Sequence, residues 1–296
     1  MGQTGEPHYE KPRLHRLAAA TGELEALDAP AKRLAKVVRS ALPGGPVKDV
    51  LSGTFLGHPL HPLLTDLPIG SWTSALMLDW VGGPESRTGA RRLIAAGILA
   101  AIPTAAAGYS DWADTEVSSP TVRRTGIVHA AANVTALGFF TASYLARRRG
   151  RGGRALALTG AGALAAGGHL GGHLSFAEGV GVNQTAFEEG PGDWTPTVTE
   201  DELAAGRPVC ARAGDVNVLI VRDGDGIHAL DDRCTHRGGP LHEGEVADGC
   251  VTCPWHGSRF RLTDGSVERG PASSPQPLYE TRVSDGRVEV RRAGRA

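Results

Sequence analysis

Hydrophobic and polar positions divide this chain into three unlike parts. Residues 1–62 are mostly polar and broken by proline, and nothing there has the apolar run of a signal peptide. Within this stretch, "APAKRLAKVVRSALPGG" puts Ala31, Leu34, Ala35, Val38, Ala41 and Leu42 on one helical face. Lys32, Arg33, Lys36 and Arg39 take the other face, and "PGG" stops the helix. Such a helix suits either a membrane surface or a face of its own protein. Residues 63–81, 93–109, 126–146 and 155–176 are then apolar or small at lengths near the roughly 20 residues a membrane helix needs. Turn- and charge-rich loops separate them: "GGPESRTGARR", "SDWADTEVSSPTVRRT" and "RRRGRGGR". Four transmembrane spans are therefore predicted, with Asp66 and Asp79 as the charged residues near the two ends of the first. Gly167/Gly171 and Gly168/Gly172 have the spacing that lets membrane helices approach closely.

Beyond a Gly/Glu-rich stretch the apolar period shifts towards two. "VCARAGDVNVLIVRDGDGIHALDD" reads as strand, turn, strand, with a hairpin at "DGDG". "YETRVSDGRVEVRR" reads the same way around "SDG". The expected architecture is multidomain: a four-span α-helical membrane bundle followed by a small all-β domain. The expected boundaries are a polar N-terminal tail with an amphipathic helix over 1–44, a membrane domain over 45–180, a linker over 181–195 and the β domain over 196–292.

Charge changes little: the formal net charge is −1, so nothing global points to nucleic acid. Cysteine usage changes more. Three of the four cysteines fall within residues 234–253, which reads as metal binding rather than stapling. In "CTHRGGPLHEGEVADGCVTCPWHG" Cys234 precedes His236 by two residues, Cys253 precedes His256 by three, and sixteen residues separate the two pairs. A zinc site is the rival reading, because Cys250 and Cys253 also form C-x-x-C.

The C-x-H and C-P-x-H-G pattern, with "GGPL", "HGSRF" and the late "GPASSPQPL", resembles the Rieske iron–sulfur family over residues 195–292. The resemblance implies a 2Fe-2S cluster with Cys234, His236, Cys253 and His256 as its ligands and Ser258 behind them, its hydroxyl placed to bond a cluster sulfur. Two neutral imidazoles make such a cluster less negative than an all-thiolate one. Potentials then run from roughly −150 to +300 mV, against about −400 mV for plant-type clusters. Members from cytochrome bc complexes carry two further cysteines forming a disulfide; here those places hold Gly239 and Trp255. Phe260 stands where high-potential members carry tyrosine. The resemblance is thus to the ferredoxin-type module, and Cys210 and Cys250 are expected to be small apolar strand residues. With no room in 296 residues for the iron-bearing catalytic domain of a Rieske oxygenase, an electron-transfer component is expected rather than a self-sufficient enzyme.

"LGHPLHPLLTDLPIGSWTSALMLDW" resembles the start of a bacterial four-helix membrane domain of uncharacterised function, over roughly residues 45–180. Four spans would gather His58, His61, His129, His169 and His173 in one leaflet, with Asp66 and Asp111 beside them. Ionisable residues within spans are functional candidates. His129 with His169 or His173 offers axial ligands for a b-type haem; the same layer offers a site for another metal or a quinone, or a purely structural polar cluster. The expected role is a multi-pass cell-membrane protein passing single electrons to or from a redox partner protein or quinone, with the lipid bilayer around its helices. The alternatives are a membrane oxidoreductase acting at its own histidine layer and a membrane-anchored redox sensor. Eight Arg in loops 82–92 and 147–154 argue for the β domain outside the cytoplasm. The absent disulfide and an N-terminal stretch with eight Lys/Arg and no signal lean the other way, towards the cytoplasm.

Overall fold

The computed structural model describes residues 12–294. Seven α-helices come first: α1 (Arg13–Thr21), α2 (Asp28–Ala41), α3 (Pro46–Ser52), α4 (Leu60–Val81), α5 (Arg87–Thr115), α6 (Pro120–Arg148) and α7 (Arg154–Phe176). Ten strands follow: β1 (Thr195–Thr199), β2 (Val209–Ala213), β3 (Val216–Asp223), β4 (Gly226–Asp231), β5 (Glu245–Ala247), β6 (Cys250–Thr252), β7 (Arg259–Arg261), β8 (Val267–Arg269), β9 (Leu278–Ser284) and β10 (Arg287–Arg292).

Each of the four predicted apolar stretches falls in one long helix, α4 to α7, of 22 to 29 residues. Among the described residues, two segments are long and apolar enough to cross a membrane: Pro84–Thr115 and Pro120–Arg148. Two of the four predicted spans thus meet both the length and the hydropathy of a membrane-crossing helix. α4 and α7 have the length, but prolines, histidines and polar residues in α4, and glycines with two histidines in α7, dilute their hydropathy.

The chain divides into two compact units. The first holds the described residues up to Leu34, with Ile69–Ile98 and Thr115–Val180. Its centre is the close packing of α6 on α7. A Cβ on Gly160 would lie 3.1 Å from the Phe140 ring, and one on Gly167 2.7 Å from Asn133. Gly168 would meet nothing and Gly172 only Phe176 at 3.9 Å, so Gly167/Gly171 is the pair that faces α6. Ser119 caps α6 by accepting a hydrogen bond from Val122 N, with Pro120 at the first helical position. Trp72 stacks on Phe140 with ring centroids 4.3 Å apart, and its indole N–H donates to Ile94 O at 3.2 Å. A bidentate ion pair joins Arg147, partly buried, to Asp79, which is buried. Residues 12–34, read as part of a polar tail, are folded instead. α1 packs on α6 and α7, and Arg124 clamps Asp28 through two hydrogen bonds of 2.9 and 2.8 Å. Along the apolar face expected for the basic helix, α2, Ala31 and Ala35 are fully buried, Leu34, Val38 and Leu42 are partly buried and Ala41 is exposed.

The second unit holds Ala35–Pro68, Leu99–Asp114 and Gly181–Ala296. In α4, Pro68 has no N–H to give to Leu64 O, and the Thr104 hydroxyl of α5 stands 3.1 Å from that carbonyl. The β-strands form two antiparallel sheets, of order β1-β10-β9-β4-β3-β2 and β5-β6-β7-β8. The all-β expectation holds, as do both hairpins. β3 meets β4 at Asp223↔Gly226, and β9 meets β10 at Ser284↔Arg287 with Asp285 and Gly286 both at positive φ. A core of Leu219, Val221, Leu230, Val251, Phe260 and Leu262 lies between the sheets and includes Cys234 and Cys253.

The stretch 181–195, expected as a linker, is held to the β domain by hydrogen bonds. Gln184 N donates to Thr235 O at 3.0 Å, Arg233 reaches Glu188 and Gln184 at 3.3 Å each, and Arg292 N donates to Pro191 O at 2.8 Å.

Candidate metal centre

Two loops carry the paired residues. Cys234 and His236 lie between β4 and β5; Cys253 and His256 lie between β6 and β7. The loops are built alike although their Cys–His spacings differ. Cys234 N donates to Gly239 O at 2.9 Å and its carbonyl accepts from Gly238 N at 2.8 Å. Cys253 N donates to Ser258 O at 2.8 Å and its carbonyl accepts from Gly257 N at 3.0 Å. The glycine four residues after each cysteine has φ of +75° or +77°, a conformation that glycine adopts without strain. Gly239 is needed for a different reason: a Cβ there would lie 2.9 Å from Cys253 Sγ and 3.0 Å from the Trp255 ring.

A third loop, residues 270–277, braces both. Gln276 accepts from Thr235 N at 3.1 Å and donates to Asp231 O and Arg233 O, each at 2.7 Å. Thr235 Oγ1 donates to Ser274 O at 2.9 Å, and Ala272 N donates to Ser258 Oγ at 2.9 Å. Sequence reasoning missed Gln276 and Thr235. Their only signal was their position inside segments already singled out.

Cys234 and Cys253 are buried and free, with their thiols hydrogen-bonded to one another. That bond draws Cys253 down to about 7 while Cys234 is pushed up, as two thiols sharing one proton require. The His236 and His256 rings stand edge to face, 5.0 Å apart. Burial pushes His236 down to about 3 and His256 to about 4, and surrounding positive charge adds to it. Both imidazoles are neutral at neutral pH, the state a metal ligand must have. His236 Nδ1 and His256 Nε2 are buried without a hydrogen-bond partner. Two orphaned ring nitrogens beside two buried thiols are an unsatisfied donor set, and that set fits an iron–sulfur group.

Other expectations fare differently. Cys250 is buried in β6, as expected; Cys210 is exposed, which corrects the apolar reading. Its thiol sits with Asp232 and His242, their donor atoms within 4.8 Å, and burial together with the Asp232 charge pushes it up to about 11. Phe260 is fully buried in the core that also holds Cys234 and Cys253. Gly239 and Trp255, at the two disulfide positions, are in contact. Trp255 is 51% exposed, with its ring 6.3 Å from His256.

The histidines of the helical region serve separate neighbours. His129 Nδ1 donates to Gly167 O at 2.8 Å, Asn133 donates to His129 O at 2.9 Å, and Gly171 lies against the His129 ring. His169 is exposed and donates to Leu14 O at 3.1 Å. His173 is buried, edge-on to His15 at 5.3 Å. His61 donates to Thr104 O at 2.9 Å. His129 is therefore engaged with the α6–α7 seam, while His169 and His173 face α1.

Paired sheets with three loops converging on two thiols and two imidazoles define an iron–sulfur electron-transfer domain. The Rieske [2Fe-2S] domain model matches residues 193–280, and that of a predicted membrane protein family (DUF2231) matches residues 57–184. The anthranilate 1,2-dioxygenase ferredoxin subunit of Burkholderia cepacia is 36% identical over 98 residues, 33% of this chain and 91% of that protein. Apoptosis-inducing factor 3 of Mus musculus is 34% identical over 79 residues, 27% of this chain and 13% of that much longer protein. Among solved structures, the ferredoxin of carbazole 1,9a-dioxygenase from Nocardioides aromaticivorans IC177 is 26% identical at a TM-score of 0.33, over 34% of this chain and 98% of that one. The chain belongs to the Rieske [2Fe-2S] family and joins that domain to a DUF2231 helical domain.

Proposed function

We propose that this protein is a membrane-anchored Rieske electron carrier. Cys234 and Cys253 hold one iron of its 2Fe-2S cluster and His236 and His256 the other. The observation that carries the reading is the convergence of two buried thiols and two neutral imidazoles, each ring with an unpartnered buried nitrogen. When bound, the cluster supplies one-electron chemistry at a potential raised by its imidazole ligands. The protein's own part is to bury the thiols, keep the imidazoles neutral and fix the two loops, one through Gln276 and Thr235 and the other through the Ala272–Ser258 bond. Single electrons pass to or from a redox partner protein or a quinone. The relatives named as dioxygenase ferredoxins support the first of these partner classes.

Helices α4 to α7 form the anchor, with domain limits of 45–180 for the membrane part and 196–292 for the Rieske part. Gly239 and Trp255 at the two disulfide positions favour placing the Rieske domain in a reducing compartment, the cytoplasm. The test is iron and acid-labile sulfide analysis of the detergent-solubilised chain with visible and EPR spectra. Two irons and two sulfides per chain are expected, and a zinc-only protein would overturn the reading.

Ser258 also takes a role. Its oxygen accepts from Ala272 N, which leaves its hydrogen to give to a cluster sulfur. Ser258→Ala is expected to lower the midpoint potential while the EPR signal persists. An unchanged potential in a redox titration would leave Ser258 with its loop-bracing bond alone.

A further inference from the structure

The cluster histidines do not face open solvent: both are partly buried. Within the second unit, three helical segments bring charge to them. α3 docks on the third cluster loop: Asp49 Oδ1 accepts from Gly270 N at 2.8 Å and Thr54 Oγ1 donates to Ala272 O at 3.4 Å. The fit leaves no slack, since a Cβ on Gly270 would lie 2.9 Å from Thr54 Oγ1 and 3.4 Å from Ser52 Cβ. Next to Asp49, Lys48 reaches the end of α5, 2.7 Å from Asp114 and 3.2 Å from Ser110. Arg39, at the end of α2, donates to Ala113 O on that same turn of α5. The Lys48 charge acts on both His236 and His256, and the Arg39 charge on His256.

Lys48 and Asp114 have side-chain exposures of only 8% each. A buried ion pair is a poor stability device: desolvation offsets most of the attraction, and a well-packed apolar pair does as well or better. Its presence beside the loop that braces the cluster therefore asks for another reason. Reduction supplies one. Two ferric ions, two sulfides and two thiolates sum to zero charge with neutral imidazoles. One electron from a donor turns the cluster into a monoanion. A fixed cation nearby stabilises that product and a fixed anion opposes it, with little solvent to screen either.

We propose that the buried Lys48–Asp114 pair tunes the cluster's potential, Lys48 favouring the reduced state and Asp114 counterbalancing it. Both are positioning residues, acting on the cluster without ligating it. The inference rests on the ligand assignment proposed above. A unit charge acting over about 10 Å at an effective dielectric near 20 changes a reduction equilibrium by about tenfold.

The experiment is a dithionite redox titration followed by EPR on the full-length, detergent-solubilised protein. Lys48→Met is expected to lower the reduction equilibrium constant about tenfold, a fall of about 59 mV for a one-electron couple. Asp114→Asn is expected to move it the other way, and the double variant to return towards wild type. Lys36→Met, an exposed cation of α2, is expected to change nothing. Cluster-loaded variants with unchanged potentials, or with both single variants shifting in the same direction, would overturn the proposal. If Lys48→Met does not fold, Asp114→Asn decides alone: a rise supports the proposal and no change overturns it. A wild-type protein lacking iron and sulfide would instead overturn the ligand assignment.

Discussion

Cys234→Ser is expected to leave the purified chain without its iron–sulfur cluster, whereas Cys250→Ser is expected to keep iron and sulfide close to wild-type content. Serine oxygen is a harder donor with a far higher pKa than thiol, so it holds ferric iron poorly in place of thiolate. Cys234 is 1% exposed and its thiol lies against that of Cys253, leaving no neighbouring donor to take over. Cys250 is equally buried, at 3%, but it is a β6 residue paired with Ala247 and Arg261, at the far end of the strand that leads to Cys253. Its replacement costs packing and not a ligand. Iron analysis and the EPR spectrum of the reduced protein separate the outcomes. Equal loss in both variants would point to a Cys250/Cys253 zinc-like set and against the proposed ligands.

Arg147→Leu is expected to destabilise the helical region by about 3–5 kcal/mol, because it strands a buried carboxylate. Asp79 has a side-chain exposure of 4%, and Arg147 holds both of its oxygens from a side chain 9% exposed. Arg154 stands 3.7 Å from Asp79 but is 59% exposed, too loosely held to replace the bidentate partner. Asp79→Asn in the Arg147→Leu background is expected to recover much of the loss, since no full charge then remains unpaired. Equilibrium unfolding in detergent micelles, followed by the fluorescence of Trp72, which lies in the same unit, measures both. A loss below about 1 kcal/mol for Arg147→Leu would mean the pair behaves as a solvated surface bridge.

Local chemistry determined much of this protein in advance. The period-two strands, the hairpins at "DGDG" and "SDG" and the two Cys–His pairs are each written within a few residues, and their physics is short-range. The long helices were legible for the same reason, since prolines, glycines and charged loops bound each apolar run. Tertiary structure decided what depends on residues far apart in the chain. Residues 12–34 looked like a tail because their apolar runs are short; α1 becomes ordered by packing on α6 and α7, which lie far along the chain. The glycine-rich stretch 181–194 looked loose by composition, yet Thr235 O, Arg233 and Arg292 N take up its polar groups. Gln276 braces the loop that bears Cys234 from 41 residues beyond Thr235, and no spacing rule reaches that far. Nor does any pattern place Lys48 beside Asp114 or bring the Lys48 charge to His236. A sequence motif specifies which donors a metal meets. The charges around that metal come from wherever the fold brings buried groups together, and only packing decides that.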